Sequence, residues 1–180
     1  MISYRLDVRP IFDEVGCSID VVDTIDIPAL TVGDTEFTLV EPLAVNLTLS
    51  NAGAGFVAHG TATAHVTTAC SRCLCEFEDT LSGEVVGFYL RSGEPSDGEE
   101  EAEKVEDDGS IDLGPAIMAG LVIEAPFVPL HDEACKGLCP TCGVDLNTEH
   151  CACDHAPAED HPFSALKTLV DDLEDGSHKP

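Results

Sequence analysis

Two short groups of cysteines constrain this chain more than any other feature. They read Cys70-Ser-Arg-Cys73 and Cys135-Lys-Gly-Leu-Cys139-Pro-Thr-Cys142-Gly143, the second followed by Cys151-Ala-Cys153, and they hold seven of the nine cysteines. A Cys-x2-Cys pair on a tight turn aims two thiolates at one ion, while amides of the turn donate to the sulfurs. Structural zinc completes a tetrahedron with four such ligands, at about 2.3 Å for each sulfur. Pro140 presets the turn in the Cys-Pro-x-Cys-Gly string, and Gly143 supplies the positive φ that a knuckle requires. The spacing therefore points to metal, with zinc as the expected ion.

Other uses of the same cysteines fit less well. A secreted disulfide framework calls for an even count and a secretory signal, but nine is odd and Met1 to Pro10 contains no apolar h-region. A thioredoxin-like site would place its Cys-x2-Cys at the start of a helix after a strand. Here Cys139 and Cys142 lie in a Gly/Pro/Asn-rich stretch, and Cys70 and Cys73 lie between two strand-like runs. Four cysteines also suit an iron–sulfur cluster, although the ferredoxin-like spacing is absent. Cys17, remote from both groups, reads as a small buried apolar residue.

Charge narrows the partners. Eight basic residues stand against 35 acidic ones, a formal −27 over 180 residues. Seven thiolates and two Zn2+ would add about −3 more. Such a surface repels bare nucleic acid and offers no basic stripe to track phosphates, so a basic protein is the better-matched partner. Pro42 to Ser71 carries no Asp, Glu, Lys or Arg, yet it alternates and is rich in Thr, Ser, Asn and Gly, so it reads as strands and turns rather than a membrane span. With no targeting signal visible, a reducing cytoplasm is the expected compartment.

Read in order, residues 1–92 form an antiparallel β region. Leu43, Val45, Leu47 and Leu49 alternate with polar residues over one strand, and Asn51-Ala-Gly-Ala-Gly55 is a turn. Ala62, Ala64 and Val66 alternate with threonines in a strand leading to Cys70. Cys70-Ser-Arg-Cys73 is the hairpin end, and Phe77 to Leu90 the returning strand, with Gly83 and Gly87 as bulge or bend points. His59 and His65 are strand-face histidines without a ligand role. Nine of the fifteen residues from Glu94 to Asp108 are acidic, so residues 93–109 read as a flexible, solvated loop. Residues 110–130 hold a buried helix, Leu113 to Glu124, capped by Asp112 and stopped by Pro126. Gly114 and Gly120 each cost that helix up to about 1 kcal/mol, which tertiary packing must offset. The cysteine-rich segment spans 131–155. In 156–180 a second helix opens at Pro162, with Phe163, Leu166, Leu169, Val170 and Leu173 on one stripe. The whole reads as one compact α+β domain: an antiparallel β-rich core with one packed central helix, a C-terminal helix and a zinc-stapled Cys-rich segment.

The Cys70-Ser-Arg-Cys73 turn, the Asp112–Pro126 helix, the Cys135-Lys-Gly-Leu-Cys-Pro-Thr-Cys-Gly-Val-Asp-Leu-Asn147 run and the terminal Pro162-Phe-x2-Leu helix occur in that order. Together they resemble the YceD family, the large ribosomal RNA subunit accumulation proteins of bacteria and plastids, over roughly Val40 to Leu173. The Lys-Gly-Leu-Cys-Pro-x-Cys-Gly string is the most specific part. The resemblance implies a role in large-subunit (23S) ribosomal RNA accumulation and ribosome biogenesis. It also implies a ligand set, because many cysteine-rich relatives carry a further cysteine where this chain has His131, and imidazole substitutes for thiolate at zinc. Cys70, Cys73, His131 and Cys135 then form one tetrahedron, and Cys139, Cys142, Cys151 and Cys153 the other, for two Zn2+ per chain. Cys75 is an alternative to His131 in the first set, and His150 or His155 an alternative in the second.

The expected function is that of a non-enzymatic, zinc-binding factor acting through contacts to assembling large-subunit particles or basic ribosomal proteins, with direct RNA binding weak. All eight ligand positions are filled by side chains, whereas a catalytic zinc keeps one open. Arg72 and Lys136 are the two cations placed to make a small phosphate contact. The alternative is a redox-responsive thiol/zinc protein, for which Cys75 beside the Cys70/Cys73 pair is the supporting feature.

Overall fold

The computed structural model describes residues 2–91 and 103–153. Its chain separates into two units, Met1–Gly137 and Leu138–Pro180. The first contains strands β1 (Arg5–Asp7), β2 (Ser18–Ile25), β3 (Ala29–Val32), β4 (Thr35–Leu39), β5 (Leu43–Asn51), β6 (Gly55–Ala69), β7 (Glu76–Leu90), β8 (Glu103–Lys104) and β9 (Ser110–Asp112), then helix α1 (Gly114–Glu124). A short 3-10 turn, Arg9–Ile11, follows β1. The fold is β-rich with one helix among the described residues, and its pairing is antiparallel apart from the short β7–β8 contact.

Period-two patterning places the core. Leu43, Val45, Leu47 and Leu49 of β5 are buried, while Ala44 and Asn46 face out. Phe56, Ala58, Ala62, Ala64 and Val66 are the matching inward set of β6. The strands join through the predicted turn, in which the Asn51 side chain accepts a hydrogen bond from Gly53 N at 2.9 Å and Gly53 has φ +90°. β6 is the axis of the sheet. β5 lines its first part, from Asn51↔Phe56 to Ala44↔Thr63, and β4 its last part, at Thr38↔Thr67 and Leu39↔Val66. β2 flanks β5, and β3 flanks β4. β7 runs along the other edge without interruption from Gly55↔Leu90 to Ala69↔Glu76.

That unbroken register corrects the reading of Gly83 and Gly87 as bulges. Gly83 is where the helix lands. A Cβ there would overlap the Gly120 carbonyl, and a Cβ on Gly120 would overlap the Glu84 carbonyl. Helix and strand thus meet backbone to backbone, which is the tertiary gain that offsets a mid-helix glycine. At Gly87 the missing side chain is replaced by the ring of Tyr89, 2.8 Å from where a Cβ would stand. α1 buries Ile117 and Leu121 in the core and leaves Ile123 80% exposed.

Other expectations also shift. Leu113, not Asp112, is the N-cap of α1. Asp112 sits one residue earlier, and its Oδ1 accepts from Gly114 N at 2.9 Å and Tyr4 N at 2.8 Å, tying the helix start to the N-terminal segment. Burial pushes this carboxyl up, but the Ser3 hydroxyl and the Gly114 and Tyr4 amides outweigh it and hold it below the usual carboxylate range. Residues 103–109 are ordered despite their acidity: β8 pairs with the end of β7, Val105 is buried, and Gly109 N donates to Glu106 O at 3.0 Å. Cys17 is only half-buried, and its thiol donates to Glu14 at 3.2 Å. His59 and His65 are exposed on β6. The expected helix from Pro162 lies outside the described residues.

Gly120→Ala separates propensity from packing. Propensity alone would stabilise α1 by about 1 kcal/mol, whereas overlap with the Glu84 carbonyl should cost about 1–3 kcal/mol. A lower urea midpoint is the expected result.

Candidate metal centres

The first centre is built where the β6–β7 hairpin turns. Cys70 N donates to Cys75 O at 2.8 Å, and Leu74 N donates to Cys70 O at 2.9 Å. Leu74 takes φ +62°, the left-handed region usually left to glycine. The segment after α1 returns to this turn. Ser71 N donates to Pro129 O at 2.9 Å, and the Arg72 guanidinium reaches Glu133 O at 3.0 Å and Cys135 O at 2.9 Å through one nitrogen. Asp132 shapes the returning loop, its Oδ1 accepting from Ala134 N at 2.7 Å and its carbonyl from Cys135 N at 3.0 Å. Gly137, at φ +73°, lies against the turn, and a Cβ on it would stand 3.0 Å from Arg72 O.

These contacts bring donor atoms of Cys70, Cys73, His131 and Cys135 within 4.8 Å of one another. Cys70 Sγ is 3.9 Å from Cys135 Sγ, and Cys73 Sγ is 3.4 Å from His131 Nδ1. The usual zinc bond lengths give tetrahedral edges of about 3.8 Å between sulfurs and about 3.6 Å from sulfur to nitrogen. A disulfide would need about 2.05 Å, and none is formed. The donor set therefore fits a shared cation. Burial pushes the Cys70 thiol up, but hydrogen bonds from the His131 side chain and from the Cys73, His131 and Arg72 backbone bring it down to about 5. The Phe77 ring packs edge-on against the His131 imidazole, centroids 6.5 Å apart.

The second centre belongs to the second unit and repeats the same backbone turn. Cys139 N donates to Val144 O and Gly143 N to Cys139 O, both at 2.8 Å, with Gly143 at φ +75°. Residue for residue, these are the bonds of Cys70 to Cys75, with Gly143 in the place of Leu74. The amides of Thr141 and Cys142 each lie 3.4 Å from Cys139 Sγ. Those of Cys142 first, against burial, and then of Thr141, with the neighbouring Cys151 and Cys142 thiols, bring the Cys139 thiol down to about 6. Cys139, Cys142, Cys151 and Cys153 lie within 4.8 Å of one another, with Cys151 Sγ 3.3 Å from Cys139 Sγ and 3.5 Å from Cys142 Sγ. Cys153 is pushed up to about 12 by the neighbouring Cys151 and Cys142 thiols. A divalent cation would remove that conflict by binding all four as thiolates. Asp145 orders the loop between the pairs, accepting from Asn147 N at 2.9 Å and pairing across to Leu138.

The alternative ligands fall outside both four-donor groups. Cys75 is exposed, with its sulfur 3.2 Å from that of Cys73. His150 is exposed and outside the second group, and His155 lies outside the described residues. Of the two proposed phosphate contacts, Arg72 already commits one nitrogen to two carbonyls, and Lys136 is exposed beside Cys135. Sequence reasoning missed the strapping role of Arg72, the left-handed Leu74 and the Asp132 turn. Only the last leaves a readable signal, an Asx turn two residues ahead of Ala134.

Comparison with known proteins places these geometries in a family context. The family described as large ribosomal RNA subunit accumulation protein YceD matches residues 58–170. An uncharacterized protein of Mycobacterium leprae is 29% identical over 148 residues, 79% of this chain and 67% of the relative. Uncharacterized proteins of Mycobacterium bovis and Mycobacterium tuberculosis are each 29% identical over 151 residues, 81% of this chain and 69% of the relative. No solved structure matches the chain.

The two centres should fail separately. Cys73→Ala is expected to lose one metal ion per chain and to lower the melting temperature of the larger unit. A loss of about 3 kcal/mol corresponds to about 6–12 °C in a chain of this size. Cys142→Ser should also lose one ion, but amide exchange should show protection lost only across residues 138–153. Equal loss throughout the chain would contradict two independent centres.

Proposed function

This chain belongs to the large ribosomal RNA subunit accumulation (YceD) family, and from that membership we propose that it is a non-enzymatic, zinc-stabilised factor acting on assembling large ribosomal subunits. The observation that carries the reading is the extent of the match: residues 58–170 enclose all eight donors of the two candidate centres. Both donor sets are made of side chains alone, one of three cysteines and a histidine, the other of four cysteines. That is the composition of closed structural zinc sites rather than of catalytic ones, which keep a position for water. Zinc in this reading fixes shape and leaves recognition to the surface.

The surface is acidic, −27 in formal charge, and at physiological salt its field extends over a Debye length of about 8 Å. It favours basic ribosomal proteins on an assembling particle over bare RNA. Arg72 and Lys136, on the turn and the returning segment of the first centre, supply a small local phosphate contact once a protein contact has docked the particle. No helix among the described residues is long and apolar enough to cross a membrane.

Two measurements on the intact protein test this reading together. Affinity capture from growing cells should be dominated by ribosomal proteins or precursor particles. With purified components, a basic large-subunit protein should bind in a manner that weakens as salt rises, while naked ribosomal RNA binds weakly or not at all at physiological salt. Tight binding of RNA by the isolated chain under those conditions would overturn the assignment of the partner.

A further inference from the structure

The first centre has one donor more than a four-coordinate ion uses. Cys70, Cys73, His131 and Cys135 already form a complete set, and Cys75, outside that set, holds its sulfur 3.2 Å from that of Cys73. Cys73 Sγ is also 3.4 Å from His131 Nδ1. His131 Nδ1 stands near the zinc edge of about 3.6 Å to nitrogen and belongs to the four-donor group. Cys75 Sγ lies outside that group, closer to Cys73 than the edge of about 3.8 Å between sulfurs, and would have to swing away from Cys73 to take the same vertex.

Burial divides the five. Cys70, Cys73 and Cys135 are 0%, 7% and 5% exposed, whereas His131 and Cys75 face solvent. Three buried cysteines thus form an inner face, with His131 and Cys75 at its solvent side on different chain segments. Cys75 is held at the knuckle itself, since its carbonyl accepts from Cys70 N and the left-handed Leu74 redirects the chain between Cys73 and Cys75. His131 arrives on the loop that Asp132 and Arg72 organise.

We propose that Cys75 is a reserve ligand of the first centre, exchangeable with His131 at the solvent-facing vertex. The proposal rests on the metal reading of that centre. In the exchange the Cys75 thiol gives its proton to solvent and its sulfur bonds to the ion as the bond from His131 Nδ1 breaks. No oxidant or reductant takes part, and the three buried thiolates stay bound throughout. The ion passes from a three-sulfur, one-nitrogen shell to a four-sulfur shell, and the site gains one negative charge. His131 is released while Cys135 still anchors its segment. The first centre can therefore loosen its loop, or load and release its ion at the surface, without falling to three ligands. The exposed thiol that a redox reading would make a sensor serves here as a ligand at constant oxidation state.

Cadmium-113 NMR of the full chain loaded with 113Cd2+ tests this, because the number of bound thiolates sets the resonance position. The second centre, with four cysteines, is a four-thiolate reference in the same molecule. The wild type should give two resonances, one at the reference position and one displaced by the imidazole. In His131→Ala the displaced resonance should move to the four-thiolate position with both ions retained, and adding Cys75→Ser should remove the first ion. Loss of that ion in His131→Ala alone, or a resonance that stays displaced, overturns the proposal. Cys75→Ser by itself keeps all four resident donors and covers the case in which His131→Ala does not fold. It should retain both ions and both resonance positions while transfer of the first ion to a chelator slows severalfold, and an unchanged transfer rate overturns the proposal. A wild-type chain that binds no cadmium would instead remove the metal reading, and this proposal with it.

Discussion

The pairing of β6 with β7, fifteen residues on each strand, sets where the rest of the larger unit goes. It carries the first knuckle at its tip and, at Gly83, the seat for α1. Once α1 is laid against β7, the chain leaves it toward the hairpin tip with little hydrophobic reason to stay. Phe127 and Val128 are 81% and 61% exposed, and His131 to Ala134 are exposed as well. Beside the buried Pro129 and the Phe77 ring on His131, what holds this stretch is polar: the Ser71–Pro129 backbone bond, the Arg72 guanidinium on two carbonyls, and the donors His131 and Cys135 facing Cys70 and Cys73. Fifty-seven residues separate Cys73 from His131, so a shared ion there would close a long loop. Structural zinc in small peptides is worth on the order of 10–16 kcal/mol, enough to offset such a closure.

The second unit meets the same difficulty at smaller scale. Between Cys139 and Cys153 the apolar residues beyond the cysteines are Val144, Leu146 and Ala152, and none of them is fully buried. A segment that cannot make a core needs a staple, and four sulfurs within 4.8 Å supply the means. The two knuckles use one backbone solution twice, with a left-handed residue after the second cysteine and paired amide bonds across the turn. The glycine at 143 fits it without strain, whereas Leu74 adopts it with a side chain 65% exposed.

Much of this was legible in the residues because period and spacing are local signals. Alternation located β5 and β6, the Cys-x2-Cys turn located the hairpin tip, and Gly143 announced its own φ. The misses share a physical cause, since each depends on a neighbour distant in sequence. Gly83 and Gly120 look like a bulge and a weak helix position until the two backbones meet. Asp112 looks like a cap until Tyr4 and Ser3 claim its carboxylate from one residue further out. Val105 sits in an acidic run whose composition hides its burial. Leu74 gave no signal, because nothing about leucine marks a left-handed turn. For the metal donors, spacing proposed the two pairs and the family resemblance supplied His131. The grouping of His131 with Cys70, Cys73 and Cys135 is a property of the fold.

Family membership says what kind of process the chain is associated with, and the donor geometry is compatible with metal ions that would help so acidic a molecule keep a defined shape. The central claim is that both centres are closed by side chains alone. X-ray absorption at the zinc edge of the purified protein tests that claim most directly. Seven sulfurs and one nitrogen over two ions predict a shell dominated by sulfur at about 2.3 Å, with a minor nitrogen contribution at about 2.0 Å and no oxygen. A shell containing water or carboxylate oxygen, or an absorption edge belonging to iron rather than zinc, would contradict it.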